Sequence, residues 1–452
     1  MLSIVILAAG FGTRMKSQTP KVLHTLCGKS MIEYVIDESL KISSDIHIIL
    51  FNQKEKIISY LKNKYQYYII DKITFHVQLH DIYPGTGGAF MQENKELIPI
   101  KEDKVLVLSA DSPMICADSL LPLLQSESAI NIATFKTRNP SGYGRIIKED
   151  NTNHVIRIIE EKDCTHTHKK IDEVNGGIYC FNKTILQHYI PLLLNDNAQK
   201  EYYLTDVINL FARDSQAIHD KGKNCQGIMA CELSEKELMG VNTKAHLAIA
   251  QNLMLERVRH RAMLQGVIMD IPESIYLDSS VEFEGECKLE NGVRIVGKSK
   301  IQNSIIKAHS VIEESEIISS DIGPHAHIRP QCNIQDSHIG NFVECKKAML
   351  KGVKAGHLSY LGDCEINTGS NIGAGVITCN YDGKSKHKTI IGKDVFVGSD
   401  CQLVAPVTIK DRVLIAAGST ITHDIPQGVL AIARGKQRNI ENGFYKFFDE
   451  KE

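Results

Sequence analysis

Between Ile391 and Ile421 an aliphatic residue returns every sixth position without a miss: Ile391, Val397, Leu403, Ile409, Ile415 and Ile421. Helices place apolar residues three and four apart, and half-buried strands place them two apart, so neither element accounts for a strict period of six. A parallel β-helix does. Each flat face of a triangular coil consumes six residues and turns one apolar side chain inward, and three faces close a turn. The same beat holds at Leu277, Phe283, Leu289, Ile295 and Ile301, at Ile322, Ile328 and Ile334, and at Ile366 and Ile372. Turns stack at the strand spacing, so Leu277–Ile421 has room for about eight turns, or ~40 Å of coil. The beat is lost at Lys346–Gly362 and Cys379–Lys388, which reads as loops leaving the coil.

The first half has another character. Ser3–Leu7 is a continuous apolar run that opens into Ala8-Ala9-Gly10-Phe11-Gly12-Thr13-Arg14. A buried strand running into a glycine loop opens many nucleotide-binding α/β domains, though a tight strand-to-helix turn has the same look. Arg14 and Lys21 add cations beside the loop. Two familiar phosphate loops are excluded. Met15 stands where the dinucleotide fingerprint needs a third glycine, and Leu23 stands where a Walker loop ending in Gly28-Lys29-Ser30 needs its first. Ile46–Phe51 and Lys104–Leu108 are further apolar runs between helical stretches, which predicts a mostly parallel sheet with helices on both faces. Ligands collect at the carboxyl ends of such strands. Asp111 stands there, either as a ligand for a divalent metal or as a turn residue before Pro113. Gly85-Thr86-Gly87-Gly88 is a second glycine loop.

Composition narrows the class. A net charge of −2 gives no basic field for nucleic acid. Twelve scattered cysteines without a Cys-x-x-Cys pair read as free thiols of a cytoplasmic protein. Met1–Ala9 is too short and too uncharged for a signal sequence, and no apolar run approaches the ~20 residues of a membrane span. Cys164-x-His166-x-His168 lies in a charged stretch without a fourth ligand and reads as a solvated loop, and His325-x-His327 reads as coil surface. Thr243–Gln265 is apolar-rich and free of Pro and Gly, so it reads as a rigid connector helix of ~33 Å or as a helix belonging to the first domain.

The motifs carry a resemblance. Leu7-Ala8-Ala9-Gly10-x-Gly-Thr-Arg-Met, Pro20-Lys21-Val22-Leu23, Asn139-Pro140-Ser141-Gly142-Tyr143-Gly144-Arg145-Ile146, Glu160-Glu161-Lys162-Asp163 and Asn175-Gly176-Gly177-Ile178 look like those of the sugar-phosphate nucleotidyltransferases. Joined to a six-residue-repeat domain, they resemble the bacterial family of bifunctional N-acetylglucosamine-1-phosphate uridyltransferase/glucosamine-1-phosphate acetyltransferases. The resemblance covers nearly the whole chain. It implies a Rossmann-like domain at 1–242, a connector helix at 243–265 and a left-handed parallel β-helix at 266–452. It also implies synthesis of UDP-N-acetylglucosamine, a precursor of peptidoglycan and lipopolysaccharide, by a cytoplasmic homotrimer.

The resemblance implies roles residue by residue. Leu7, Ala8, Gly10, Gln78, Gly85 and Thr86 would hold the uridine of UTP, with Arg14 and Lys21 on its phosphates. Gly142, Glu160 and Asn175 would bind the N-acetylglucosamine ring. Asp111 and Asn242 would hold one Mg²⁺. In the coil His357 would be general base for acetyl transfer, Arg329, Lys346, Tyr360 and Asn371 would contact glucosamine phosphate, and Asn380, Tyr381, Ser399, Ala417 and Arg434 would contact acetyl-CoA. The chain departs from the family pattern at Ser109, where an aromatic often stands, at Ala110, where glycine is usual, at Gly88, where His is frequent, and in a Gln78–Gly85 spacing about two residues longer than the pattern. A single-activity nucleotidyltransferase with a structural coil is the alternative. His357, Lys346 and the Asn380-Tyr381 loop argue against it.

Overall fold

Strand β1, Leu2–Ala8, lies in the middle of a nine-stranded sheet because both of its faces are apolar and both are covered. The computed structural model describes residues 2–66, 71–219 and 227–448. The chain divides into two units, Met1–Met254 and Leu255–Glu452. In the first, β1 pairs in parallel with β2 (Asp45–Leu50) on one side, and β2 with β3 (Ile73–Val77). On the other side it pairs in parallel with β4 (Lys104–Ser109). Ile4 and Ile6 face one core with Ile32, Val35 and Ile36, and Val5 faces the other with Phe90, Val107 and Phe181.

The sheet is not simply parallel beyond β4. Strands β5 (Ile130–Lys136), β6 (Arg145–Lys148), β7 (Val155–Ile159), β8 (Glu173–Asn182) and β9 (Ile228–Glu232) complete it in the order β9-β5-β8-β4-β1-β2-β3. The ten-residue β8 runs antiparallel to both β4 and β5, and it also carries the β6–β7 hairpin. Its register shifts between Asn175 and Tyr179. Gly176 and Gly177 make that bulge possible. A Cβ on Gly176 would lie 2.7 Å from the Ala133 carbonyl oxygen, and Gly177 has φ +72°.

The second unit is a parallel β-helix. Its strands, two to four residues long, form parallel sheets of ten, nine and eight strands, and each strand pairs with the third one along until the last pair, Leu414–Ile415 with Leu430–Ala431. Leu277, Ile295, Ile312, Ile328, Cys345, Leu361, Thr378, Leu403 and Ile421 stack as one inward column in the nine-stranded sheet. Ile391, Val397, Leu403, Ile409, Ile415 and Ile421 fall on the three faces in turn, and all are buried.

One expected loop is part of the coil. Lys346–Gly362 does not leave it, and it contains the regular strands Met349–Lys351, Lys354–His357 and Tyr360–Gly362. The six-residue beat fails there because several faces use five residues. Each of these shorter steps turns on a residue with positive φ two places after the inward one, as at Asn303, Ser319, Asp336, Lys347 and Asp363. Asn and Asp tolerate that conformation better than most side chains. Buried serines secure these turns. The Ser304, Ser315, Ser320 and Ser337 hydroxyls accept from backbone N–H groups one turn on, at 3.0–3.1 Å. They satisfy donors that would otherwise be stranded inside. Cys379–Lys388 does leave the coil, as a short hairpin with Tyr381 bridged to Lys386.

The helix Lys244–Leu264 contains the division between the units. Within the first unit, Gln251 bonds the backbone and sulfur of Cys27. Within the second, Arg259 bonds the carbonyls of Pro272 and Ile275. Among the described residues no helix is long and apolar enough to cross a membrane.

Candidate active sites

The glycine loop after β1 leaves space where a ligand would need it. A Cβ on Gly10 would meet nothing within 4 Å. Gly12 has φ +65°, and a Cβ there would lie 2.7 Å from the Lys21 Cβ, so this glycine lets Lys21 pack against the loop. Beyond it, groups from four places in the chain converge. The Lys21 ammonium pairs with Asp111 Oδ2 and donates to Asn242 Oδ1 at 2.7 Å. The Arg14 guanidinium donates to the same Asn242 oxygen at 2.9 Å. The Ser109 hydroxyl donates to Asp111 Oδ1 at 2.6 Å. The backbone reinforces the arrangement. Ala110 N–H donates to the Leu7 carbonyl at 3.0 Å, and Val241 N–H donates to the Asp111 carbonyl at 2.9 Å.

A Mg²⁺ fits this donor set. A carboxylate oxygen and an amide oxygen already share one cationic centre, and Mg²⁺ takes few protein ligands and completes its shell with phosphate and water. Among the described residues no group of three or more His, Cys, Asp or Glu side chains forms a richer metal site. His168 Nδ1 accepts instead from Thr165 N–H in its own loop.

The second glycine loop rests on a segment that no motif had singled out, Glu201–Leu204. Gly87 N–H donates to the Tyr202 carbonyl, and Tyr202 N–H donates to the Pro84 carbonyl. Thr86 Oγ1 accepts from Leu204 N–H at 3.1 Å. Gln78 is buried, and its amide donates to the carbonyls of Tyr83 and Gly85. Both donors are therefore used on the loop, and the amide oxygen is what Gln78 has left to offer a base. A Cβ at Gly88 would stand 2.2 Å from the carbonyl oxygen of Tyr83, a residue of the Gln78–Gly85 segment. The loop as it lies here thus admits only glycine at 88.

Glu160 and Asn175 come together around Gly144, whereas a Cβ on Gly142, two residues earlier, would meet nothing within 4 Å. A Cβ on Gly144 would lie 3.5 Å from the Asn175 Cβ and 3.6 Å from Glu160 Oε2. Burial pushes the Glu160 carboxyl up, against a hydrogen bond of 2.9 Å from the Thr205 hydroxyl. The Asn175 amide is committed to the bulge, donating to the Tyr179 hydroxyl and accepting from Gly177 N–H. An open cavity of about 1420 Å³ lies beside Glu160, Tyr203 and Asp206, and none of Arg14, Lys21, Asp111 or Asn242 lines it.

In the coil the candidate residues fall on different faces. Arg329 and Lys346 follow adjacent inward residues of the nine-stranded sheet, and Tyr360 stands on the next turn opposite Glu344. Arg329 donates to Glu344 Oε1 at 2.9 Å. A Cβ on Gly362 would lie 2.5 Å from the Tyr360 hydroxyl and 2.7 Å from Asn380 Nδ2, so its bare backbone lets those two groups meet. Asn380 also donates to Asp363. Asn371 belongs to the ten-stranded sheet, between Lys354 and Phe396, and is not part of that cluster.

His357 is exposed at the end of a strand of the ten-stranded sheet, paired with Asn341. Above it Ala374, Ser399 and Ala417 continue the same column over ~14 Å. Beside them run Gly356, Gly373 and Gly398. A Cβ on Gly373 would lie 2.5 Å from Ser399 N, and one on Gly398 would lie 2.5 Å from Ala417 N. Arg434 donates to the Ala417 carbonyl at 2.8 Å and ends the column with a cation. The neighbouring hairpin is pre-set. Asp382 accepts from Lys384 N–H, Ser385 N–H and His387, and those bonds hold its carboxyl well below the usual range. Tyr381 is left exposed beside it. His325 stacks on His309 and on Phe342 at the coil surface.

Comparisons with known proteins match one family model in each half of the chain. The nucleotidyl transferase family model matches residues 3–224, and the bacterial transferase hexapeptide model matches residues 388–423. The chain is 54% identical over 457 residues to the bifunctional protein GlmU of Helicobacter hepaticus, covering 100% of this chain and 98% of that one. It is 50% identical to the protein of the same name from Sulfurovum sp., over the full length of both. It is 51% identical to that of Helicobacter pylori strain HPAG1, over 99% of each.

Proposed function

The chain belongs to the bifunctional GlmU family, and on that premise we propose a two-site enzyme that makes UDP-N-acetylglucosamine. Acetyl-CoA first acetylates glucosamine-1-phosphate at the coil. The product then attacks UTP at the first unit. A phosphate oxygen of N-acetylglucosamine-1-phosphate forms a bond to the α-phosphorus of UTP in line, the α–β bridging bond breaks, and pyrophosphate leaves. The protein needs little covalent chemistry for this, because position and charge neutralisation lower the barrier.

The observation that carries the reading is the convergence of Arg14, Lys21, Asp111 and Asn242 at the carboxyl ends of β1 and β4. Asp111 and Asn242 would hold Mg²⁺, which neutralises phosphate charge when bound. Arg14 and Lys21 are cations for the phosphates. Leu7, Ala8, Gly10, Gln78, Gly85 and Thr86 line the uridine side, with the Gln78 amide oxygen suited to the N3–H of uracil. Gly142, Glu160 and Asn175 hold the acetylated sugar.

At the coil, the neutral glucosamine amine attacks the thioester carbonyl. His357 takes the amine proton, and the coenzyme thiolate leaves. The column from His357 to Arg434 fits an extended pantetheine arm with a phosphate at its far end, and Asn380 and Tyr381 flank the thioester. Arg329, Lys346 and Tyr360 stand on one face and Asn371 on another, which favours a site completed between copies. We therefore propose a homotrimer, working in the cytoplasm, with the two chemistries divided at residues 243–265. Assaying both half-reactions on one purified sample tests the reading. Both activities are expected, and a sample with only one would overturn it.

A further inference from the structure

We propose that Ser109 is a positioning residue for Asp111 in uridylyl transfer, an inference that rests on the reading of Asp111 as a metal ligand. A carboxylate at the end of two side-chain torsions can offer either oxygen in many orientations. Mg²⁺ demands near-octahedral geometry at ~2.0–2.1 Å and tolerates little error. Here the orientation is already chosen. Ser109, the last residue of β4, donates its hydroxyl to Asp111 Oδ1 at 2.6 Å. That leaves Oδ2 directed at the cationic centre it shares with Asn242 Oδ1, the point now taken by the Lys21 ammonium.

The backbone around the pair leaves it little freedom. Ala110 is fully buried and bonded to Leu7, and the Asp111 carbonyl accepts from Val241. The two side-chain torsions that remain to Asp111 are the ones that the Ser109 hydroxyl restrains. Hydrogen bonds of this kind to metal-binding carboxylates fix both orientation and affinity, and losing one typically costs about 10–100-fold.

The test uses Mn²⁺ as a spectroscopic substitute for Mg²⁺, with the full chain and saturating UTP. Electron paramagnetic resonance reads the free ion directly. Ser109→Ala should weaken Mn²⁺ binding by about 10-fold or more. Ser109→Thr, which keeps the hydroxyl, should restore it. In steady state Ser109→Ala should raise the Mg²⁺ concentration for half-maximal rate and leave the KM for N-acetylglucosamine-1-phosphate unchanged. A merely structural role would instead lower thermal stability and move both substrate constants together. Asp111→Asn is the reference. Unchanged Mn²⁺ affinity in Ser109→Ala, with binding lost in Asp111→Asn, would overturn the role of Ser109 alone. So would Ser109→Thr binding as weakly as Ser109→Ala. If Asp111→Asn bound Mn²⁺ like the parent, the ligand assignment itself would fail.

Discussion

The two units assemble their candidate sites by different routes. In the first, residues as distant as Arg14 and Asn242 meet within one chain, because parallel strands deliver their carboxyl ends to one crevice. In the second, neighbours in sequence are sent to different faces. Tyr360 and Asn371 are eleven positions apart, yet they sit in different sheets of the coil. A sheet crevice can close a site by itself. A coil offers flat sides, and a deep site on it needs a second surface. The difference predicts a self-sufficient first site and a shared second one.

The largest effect should come from breaking the first site alone. Asp111→Asn removes the carboxylate that Lys21 and Ser109 both address. Uridylyl transfer is expected to fall by at least about 10³-fold, the scale of losing one charge-stabilising group in phosphoryl transfer. Acetyl transfer by the same protein should stay near the parent's rate. Separate assays of the two half-reactions decide it, and uridylyl transfer that persists at saturating Mg²⁺ would contradict the assignment. The mirror experiment is His357→Ala. Acetyl transfer should drop at least about 10²-fold, the lower range for a general base, while uridylyl transfer continues. Loss of both reactions in a folded, trimeric protein would end the two-site reading.

The sharing of the second site is sharpened by mixing. Lys346→Ala and His357→Ala alter different surfaces of the coil. Each variant alone should be nearly inactive in acetyl transfer. Co-assembled in equal amounts around a three-fold axis, they should restore about a quarter of the sites, the fraction in which an intact corner faces an intact neighbouring sheet. Recovery is read against unmixed controls after joint refolding. No recovery, with mixed trimers demonstrated by mass spectrometry, would place the whole site within one chain.

The parts that could be read from sequence alone have a physical pattern. The coil was legible wherever its faces take six residues, since each inward side chain then returns on schedule. Between Ile301 and Ile366 the schedule mixes steps of five and six, and the columns through Ile306, Ile317 and Leu350 escaped the strict count. A Ser-x-Ile signal, as at Ser304, Ser310, Ser315 and Ser320, would have marked those turns. In the first unit the motifs located Arg14, Lys21 and Asp111. They could not show that Ser109 bonds Asp111, nor that Gly88 answers to the Tyr83 carbonyl, because both depend on where a loop lies in space. The antiparallel β8 was hidden for a similar reason. Its direction is set by pairing partners distant in sequence, and an apolar run carries no sign of direction.

The smallest predicted effect concerns acid. The inward columns of the coil are aliphatic apart from Phe283 and occasional Cys or Thr, whereas the first unit holds a buried histidine against a half-buried one. His47 is almost wholly enclosed, with Nε2 against Asp45 and Nδ1 2.8 Å from His76 Nε2. One ring must donate and the other accept at this contact. Burial first, and then His47, pushes His76 down to about 4 from an ordinary value of 6.5, with Asp45 opposing. The folded state therefore keeps this ring neutral where the unfolded chain accepts a proton. Its contribution to stability is complete above about pH 6.5 and is lost as the pH falls towards 4. Glu160 and Asp206, whose carboxyls are held up chiefly by burial, titrate with the opposite sign, so the bare pH profile is a mixture. Asp45 and Glu33 are held low, and their effects belong to more acid conditions. The informative measurement is a difference. His76→Gln should flatten the fall in the first unit's unfolding midpoint between pH 7 and pH 5, with each kcal/mol worth about 2–4 °C in a unit of this size. Near-ultraviolet circular dichroism reads this unit, because most of the tyrosines lie in it. Equal slopes for the parent and His76→Gln would mean that the pair does not set the acid response.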